Sequence, residues 1–319
     1  MVLFLRFLPL IAAAHGFLPN LKATTTKRSL PTFLGMPSEL KNELQMSAVS
    51  SSLGNMPRIG ASDLEQLAKK GFVVIDNFLP EDLQNDLRQD VSYLRSKSKF
   101  NVAKIGQDST NNLNQDIRVA ETCFIGNDKL QDCPNAARDS LYGVLDQVRA
   151  DLSQNPILDS PNAVTRGTPA LDSNLSELLF AFYPTGGFYR RHRDAIPGSA
   201  SVLRSYSLLL YLNEGWTPEQ AGQLRMHMDS GGDFLPEGED PNFIDVEPRG
   251  GTLVLFKSDM VPHEVLDTNA ERLAVVGWYN RGVTASDIAN LSEDGGKTQV
   301  LLLAVAAALV TVGVVSLLT

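Results

Sequence analysis

The runs LLFAFY (Leu178–Tyr183), YSLLLYL (Tyr206–Leu212), TLVLF (Thr252–Phe256) and LAVVGWY (Leu273–Tyr279) alternate with stretches rich in Gly, Pro and Asp. Short apolar runs bounded by turn residues read as strands, so the second half of the chain predicts a sheet-rich region. The first half reads as helical. Leu64, Leu67 and Ala68 share one face of a helix over Ser62–Lys70, with Ser62 placed to cap it and Gly71 to end it. Phe72–Ile75 follows as a buried strand. Pro80 opens a second helix carrying Leu83, Leu87, Val91 and Leu94, and a third is expected from Pro134 to about Leu152. Helices early and strands late give an α+β domain over 57–290 whose sheet is a sandwich or barrel. The acid-rich stretch Met228–Glu247 reads as a solvated loop.

Composition narrows the class. With 43% hydrophobic and 20% charged residues, the 319-residue chain is neither disordered nor fibrous. Its net charge of −9 argues against a nucleic-acid partner, which needs a basic face. Cys123 and Cys133 are too few for a disulfide framework and read as two buried thiols. Residues 1–38 contain Arg6, Lys22, Lys27 and Arg28 but no acid, and an apolar run from Phe7 to Ala14. They read as a targeting presequence, either a secretory signal or the two-part leader of a complex plastid. Residues 39–56 and 291–299 read as linkers. Residues 300–319 are uncharged and, as a helix, about 30 Å long, so a C-terminal transmembrane helix is expected. A cleaved signal for a lipid anchor is the rival for that tail. The expected location is membrane-anchored in the secretory pathway or endoplasmic reticulum, with a complex plastid as the alternative.

Three histidines lie outside the presequence: His192, His227 and His263. In Tyr189-Arg190-Arg191-His192-Arg193-Asp194, residues two apart on an extended chain project to one side, so His192 and Asp194 can hold one metal. With His263 they make two imidazoles and one carboxylate, a set that leaves positions open for non-haem Fe(II) oxygen chemistry. His227 reads as a surface residue. Arg272 begins a strand on which it shares a face with Ala274, Val276 and Trp278. A guanidinium on an apolar inward face needs an anion: a bound carboxylate ligand, or an internal salt bridge.

These residues resemble a known family. The stretches Ala181–Pro184 through Tyr189–Asp194, Arg204 through Tyr211-Leu212-Asn213, Gly222–Arg225 and Asp245–Pro248 through Trp278-Tyr279 resemble the prolyl 4-hydroxylase group of Fe(II)/2-oxoglutarate dioxygenases. Among its members the chain is most similar to the oxygen-sensor (egl-nine type) branch. Ala274 stands where the collagen-type branch usually carries lysine, while Arg272 matches the sensor branch. The resemblance implies a double-stranded β-helix (jelly-roll) with supporting N-terminal helices. It implies that His192, Asp194 and His263 hold Fe2+ and that Arg272 binds the distal carboxylate of 2-oxoglutarate. Tyr211 would assist at that carboxylate, Tyr183 would act near the chelating end, and Leu224 would line the cosubstrate site. Arg204, Trp278, Arg118 and Tyr189 would contact the substrate. Ala120 departs from the branch, which carries an acidic residue there.

The implied activity is O2-dependent hydroxylation of peptidyl proline at C4, with 2-oxoglutarate converted to succinate and CO2 and ascorbate as reductant. Hydroxylation of a small molecule, or a metal-free binding module on the same fold, are the alternatives.

Overall fold

The computed structural model describes residues 56–283, apart from 106–112, 127–129, 166, 168, 176, 198 and 229–241. Helix α1 (Ala61–Lys70) leads through Gly71 into β1 (Phe72–Ile75), and α2 (Glu81–Ser96) follows Pro80. Gly71 adopts φ 78°, and its N–H donates to Leu67 O, the left-handed ending that glycine takes without strain. The start of α1 differs from expectation. Gly60, not Ser62, occupies the cap position, and its carbonyl accepts from Asp63 and Leu64. Then come β2 (Asn101–Val102), β3 (Arg118–Val119), β4 (Glu121–Phe124) and α3 (Ala136–Leu152). The Asn135 side chain caps α3 by accepting from Ala137 N at 2.8 Å.

Eight strands complete the domain: β5 (Leu179–Tyr183), β6 (Phe188–His192), β7 (Arg204–Tyr211), β8 (Leu224–His227), β9 (Phe243–Val246), β10 (Leu253–Lys257), β11 (His263–Val265) and β12 (Arg272–Asn280). Together with β1–β4 they form two antiparallel sheets, ordered β1-β10-β7-β12-β5-β4-β2 and β3-β6-β11-β8-β9. This arrangement fits the expected jelly-roll. The stretch expected to be a solvated loop contains β9. Its first three residues are exposed, but β9 pairs along β8, Phe243 against His227 and Asp245 against Arg225. Cys123 and Cys133 are both free and buried, as expected.

The larger sheet is covered on both faces, which explains its nearly continuous apolar strands. Phe180, Leu208, Leu210 and Val275 pack on the helix side with Leu67, Leu94 and Leu141. Their alternates Leu179, Ala181, Leu209 and Ala274 pack between the sheets with Leu224 and Met226. Tyr279 Oη donates to Leu145 O at 2.8 Å, fastening β12 to α3. Every inward side chain of β7 and β12 therefore points into the space between the sheets, where the polar cluster lies. Among the described residues no helix is long and apolar enough to cross a membrane, and residues 300–319 lie outside them.

Candidate metal centre

The ladder between β6 and β11 places His192 directly opposite His263, and Asp194 follows two residues after the end of β6. One ligand atom from each of His192, Asp194 and His263 lies within 4.8 Å of the others. Asp194 Oδ1 is 3.5 Å from His192 Nε2, and Oδ2 is 3.6 Å from His263 Nε2. Both imidazoles face their other nitrogen to backbone: His192 Nδ1 lies 2.9 Å from Arg190 O, and His263 Nδ1 lies 3.1 Å from Val261 O. A carbonyl only accepts, so both Nδ1 atoms carry a hydrogen, which leaves both Nε2 atoms, beside the carboxylate, as the nitrogens able to meet a metal. That tautomer is the one a metal needs. The donor set, two nitrogens and one carboxylate, fits a divalent iron.

Electrostatics keep the cluster ready. Burial pushes the His263 imidazole down to about 4, although the Asp194 charge pulls the other way. Burial works to raise the Asp194 carboxyl, but His263, His192 and Arg204 together hold it far below the ordinary carboxylate range. At neutral pH the cluster is thus a carboxylate beside a neutral His263, as metal binding requires. A stability consequence follows for the metal-free protein. Between its ordinary value of 6.5 and about 4, the unfolded chain protonates this histidine while the folded chain does not. Stability therefore falls as pH drops through that window, and the lowered Asp194 adds further loss in stronger acid. We expect the melting temperature of chelator-treated protein to fall from pH 7 to pH 5. A flat profile there would contradict a buried neutral His263.

Aromatic stacking surrounds His192. The Tyr189 ring lies 3.7 Å from the imidazole centroid at 24°, and the Arg118 guanidinium sits 4.5 Å above Tyr189. Burial raises the Tyr189 hydroxyl to about 12, so it stays protonated. Arg118 and Tyr189 meet because β3 pairs with β6 in that register. On the other side, Arg204 stacks 3.8 Å from the Trp278 ring. It binds Glu177 through Nε and Nη2 and donates from Nη1 to Asp194 O at 3.1 Å. No motif or spacing marks Glu177 as a partner in advance.

Arg272 lies deeper, only 2% exposed. Its Nε donates to Gly222 O at 2.8 Å, and its guanidinium sits 5.0 Å from the rings of both Tyr183 and Tyr211. Among the described residues no carboxylate pairs with it, so no internal salt bridge forms there. Its Nη2 and the Tyr211 hydroxyl are buried without a protein hydrogen-bond partner. Burial raises the Tyr211 hydroxyl to about 12 despite the adjacent guanidinium, so it too remains a donor. A buried cation and a buried hydroxyl with free hydrogens fit a carboxylate ligand. Gly222 permits the arrangement: at φ 76°, a Cβ there would stand 3.2 Å from Arg272 Cδ and 3.0 Å from Thr268. Tyr183 stands opposite Arg272 in the β5–β12 ladder, and Leu224 is fully buried on β8 in the same inter-sheet core.

His227 is not a surface residue. It is 7% exposed, and its Nε2 lies 3.1 Å from Glu264 Oε1. On β8 it alternates with inward-facing Met226, so it belongs to the outer face of the smaller sheet, away from the cluster.

A family model described as the 2OG-Fe(II) oxygenase superfamily matches residues 178–280, the span holding all of these side chains except Arg118 and Glu177. A prolyl-4-hydroxylase from Pseudomonas putida is 31% identical, with 70% of this chain and 99% of that chain covered and a TM-score of 0.52. A prolyl hydroxylase from Trichoplax adhaerens, solved with a hypoxia inducible factor oxygen degradation domain peptide fragment, is 24% identical. There 77% of this chain and 94% of that chain are covered, with a TM-score of 0.53. Identity across nearly the whole bacterial enzyme, joined to a cluster and an anion site of the required chemistry, places the chain in the 2OG-Fe(II) oxygenase superfamily, as a 2-oxoglutarate-dependent dioxygenase.

Proposed function

We propose that this dioxygenase hydroxylates C4 of prolyl residues in a protein or peptide substrate. The supporting observation is the 31% identity that spans 99% of the Pseudomonas putida prolyl-4-hydroxylase. The Trichoplax adhaerens neighbour, solved with a peptide fragment, is consistent with a peptide substrate. The choice of the oxygen-sensor branch rests on Arg272, with Ala274 where the collagen-type branch has lysine. His192, Asp194 and His263 would hold Fe2+, and Arg272 with Tyr211 would bind the distal carboxylate of 2-oxoglutarate. Once bound, the metal and cosubstrate would supply an O2-dependent oxidation in which 2-oxoglutarate is converted to succinate and CO2. Tyr183 and Leu224 shape the cosubstrate site beside them. The Arg204–Trp278 pair presents a flat cationic and aromatic surface next to Asp194, suited to the apolar ring of proline. Arg118 and Tyr189 would border the substrate across the smaller sheet. Ascorbate would keep the iron reduced.

The test is mass spectrometry of proline-containing peptides from cells with and without the protein, followed by purified enzyme on any peptide that gains one oxygen. 4-Hydroxyproline dependent on Fe2+ and 2-oxoglutarate is expected. Succinate formation in extracts with no proline modified would sink the peptide reading. We also propose that residues 1–38 direct the chain to the secretory pathway and that residues 300–319 hold it in the endoplasmic reticulum membrane. Deleting 300–319 should move active enzyme into the supernatant of a carbonate extraction. Full-length protein already in that supernatant would sink the anchor.

A further inference from the structure

Asp194 is held by a partner that lies on the opposite sheet. Ser207 Oγ donates to Asp194 Oδ2 at 2.6 Å, and Ser207 Oγ lies 2.9 Å from Ser258 Oγ. Both serines are fully buried. A hydroxyl has one hydrogen. Because Ser207 gives its hydrogen to the carboxylate, Ser258 must be the donor in the second bond. The relay therefore has one direction, Ser258 to Ser207 to Asp194. The backbone around it is tied as well: Ala195 N donates to Ser258 O at 3.1 Å, and Ser258 N donates to Ser205 O at 3.2 Å.

We propose that Ser207 is a positioning residue for the metal centre, oriented by Ser258, and that the relay reserves Asp194 Oδ1 as the ligating oxygen. Oδ2, 3.6 Å from His263 Nε2, already accepts a short hydrogen bond from Ser207, whereas Oδ1, 3.5 Å from His192 Nε2, accepts none from a hydroxyl or amide among the described residues. A carboxylate fixed in this way needs no reorientation when a metal arrives, and it resists binding through both oxygens. Hydrogen bonds of this kind to a metal-ligating group are generally worth 10–100-fold in metal affinity. The relay also joins the smaller sheet's metal loop to β7 and to the residue just after β10, so the position of the carboxylate depends on both sheets.

The experiment measures metal affinity directly, with Co2+ as the probe, by titrating chelator-treated full-length protein and following its visible absorption. Ser207→Ala should weaken Co2+ binding about 10–100-fold. It should also change the intensity of the visible bands, because the carboxylate becomes free to bind through both oxygens. Ser207→Thr keeps the hydroxyl and should restore both affinity and bands. Ser258→Ala leaves Ser207 able to donate and should give a smaller loss than Ser207→Ala. Unchanged affinity and bands in a folded Ser207→Ala protein would overturn the proposal. So would equal losses in the Ala and Thr variants. If Ser207→Ala does not fold, Ser258→Ala decides: weakened binding supports the relay and wild-type binding overturns it. A wild-type protein that takes up no Co2+ would instead contradict the assignment of His192, Asp194 and His263 as ligands.

Discussion

Arg272→Ala should raise the 2-oxoglutarate concentration for half-maximal turnover by two to four powers of ten while leaving Fe2+ affinity nearly unchanged. The guanidinium is 2% exposed, has no carboxylate partner among the described residues and keeps Nη2 unsatisfied. A buried charge in that condition is costly, and an incoming carboxylate relieves the cost. Removing one partner of such a desolvated pair loses about 3–5 kcal/mol, which converts to the stated range in affinity. Arg272→Lys should recover only part of it, because an ammonium cannot donate two parallel bonds to one carboxylate. The metal-free protein offers the control. Alanine deletes a hydrogen bond to Gly222 O and the contact with the Tyr183 and Tyr211 rings, but it also deletes an uncompensated charge. Its melting temperature should therefore move by only a few degrees. A markedly less stable variant with an unchanged 2-oxoglutarate saturation curve would mean that Arg272 serves the fold alone.

Arg272 also marks how far the sequence could be read. Its strand, its shared face with Ala274, Val276 and Trp278, and the His192–Asp194 pair are legible from local spacing, whereas His263 joins them only through the β6–β11 ladder, and its place in the set comes from the resemblance. The strands of the larger sheet were legible for a related reason. Both of its faces are buried, so the apolar runs are nearly unbroken. The smaller sheet was harder to see. Strand β9 keeps its first three residues exposed and lies amid acids, so nothing local separates it from a loop; only pairing with β8 makes it a strand. The burial of His227 is not legible from the sequence because its contact with Glu264 exists only once β8 pairs with β11. Ser207 left a trace that could have been read. It is the one small polar side chain in the run YSLLLYL, on the same face as Leu209 and Tyr211, where a polar group needs a buried partner.

Asp194→Ala should abolish metal binding without unfolding the domain, and thermal melting with and without Fe2+ under anaerobic conditions is the clearest measure. A ligand that binds only the folded state stabilises it by about 2.7 kcal/mol at one hundred times its dissociation constant. For a domain of this size that corresponds to a rise of roughly 5–10 °C. Wild-type protein should show the rise and Asp194→Ala should show none, with succinate formation lost in parallel. The metal-free variant should stay folded, because the side-chain bond from Arg204 Nη1 to Asp194 O and the backbone bond from Ala195 N to Ser258 O do not involve the removed carboxylate. His263→Ala should also lose the metal-dependent rise, but from a lower starting temperature. Deleting that imidazole empties a buried site against Phe256 and leaves Val261 O without its donor. His227→Ala separates fold from function: losing the bond to Glu264 should lower both melting curves, while the increment from Fe2+ stays at its wild-type size. Were Asp194→Ala to keep the full increment, the metal would have to sit elsewhere, and the catalytic assignment of His192, Asp194 and His263 would fall with it.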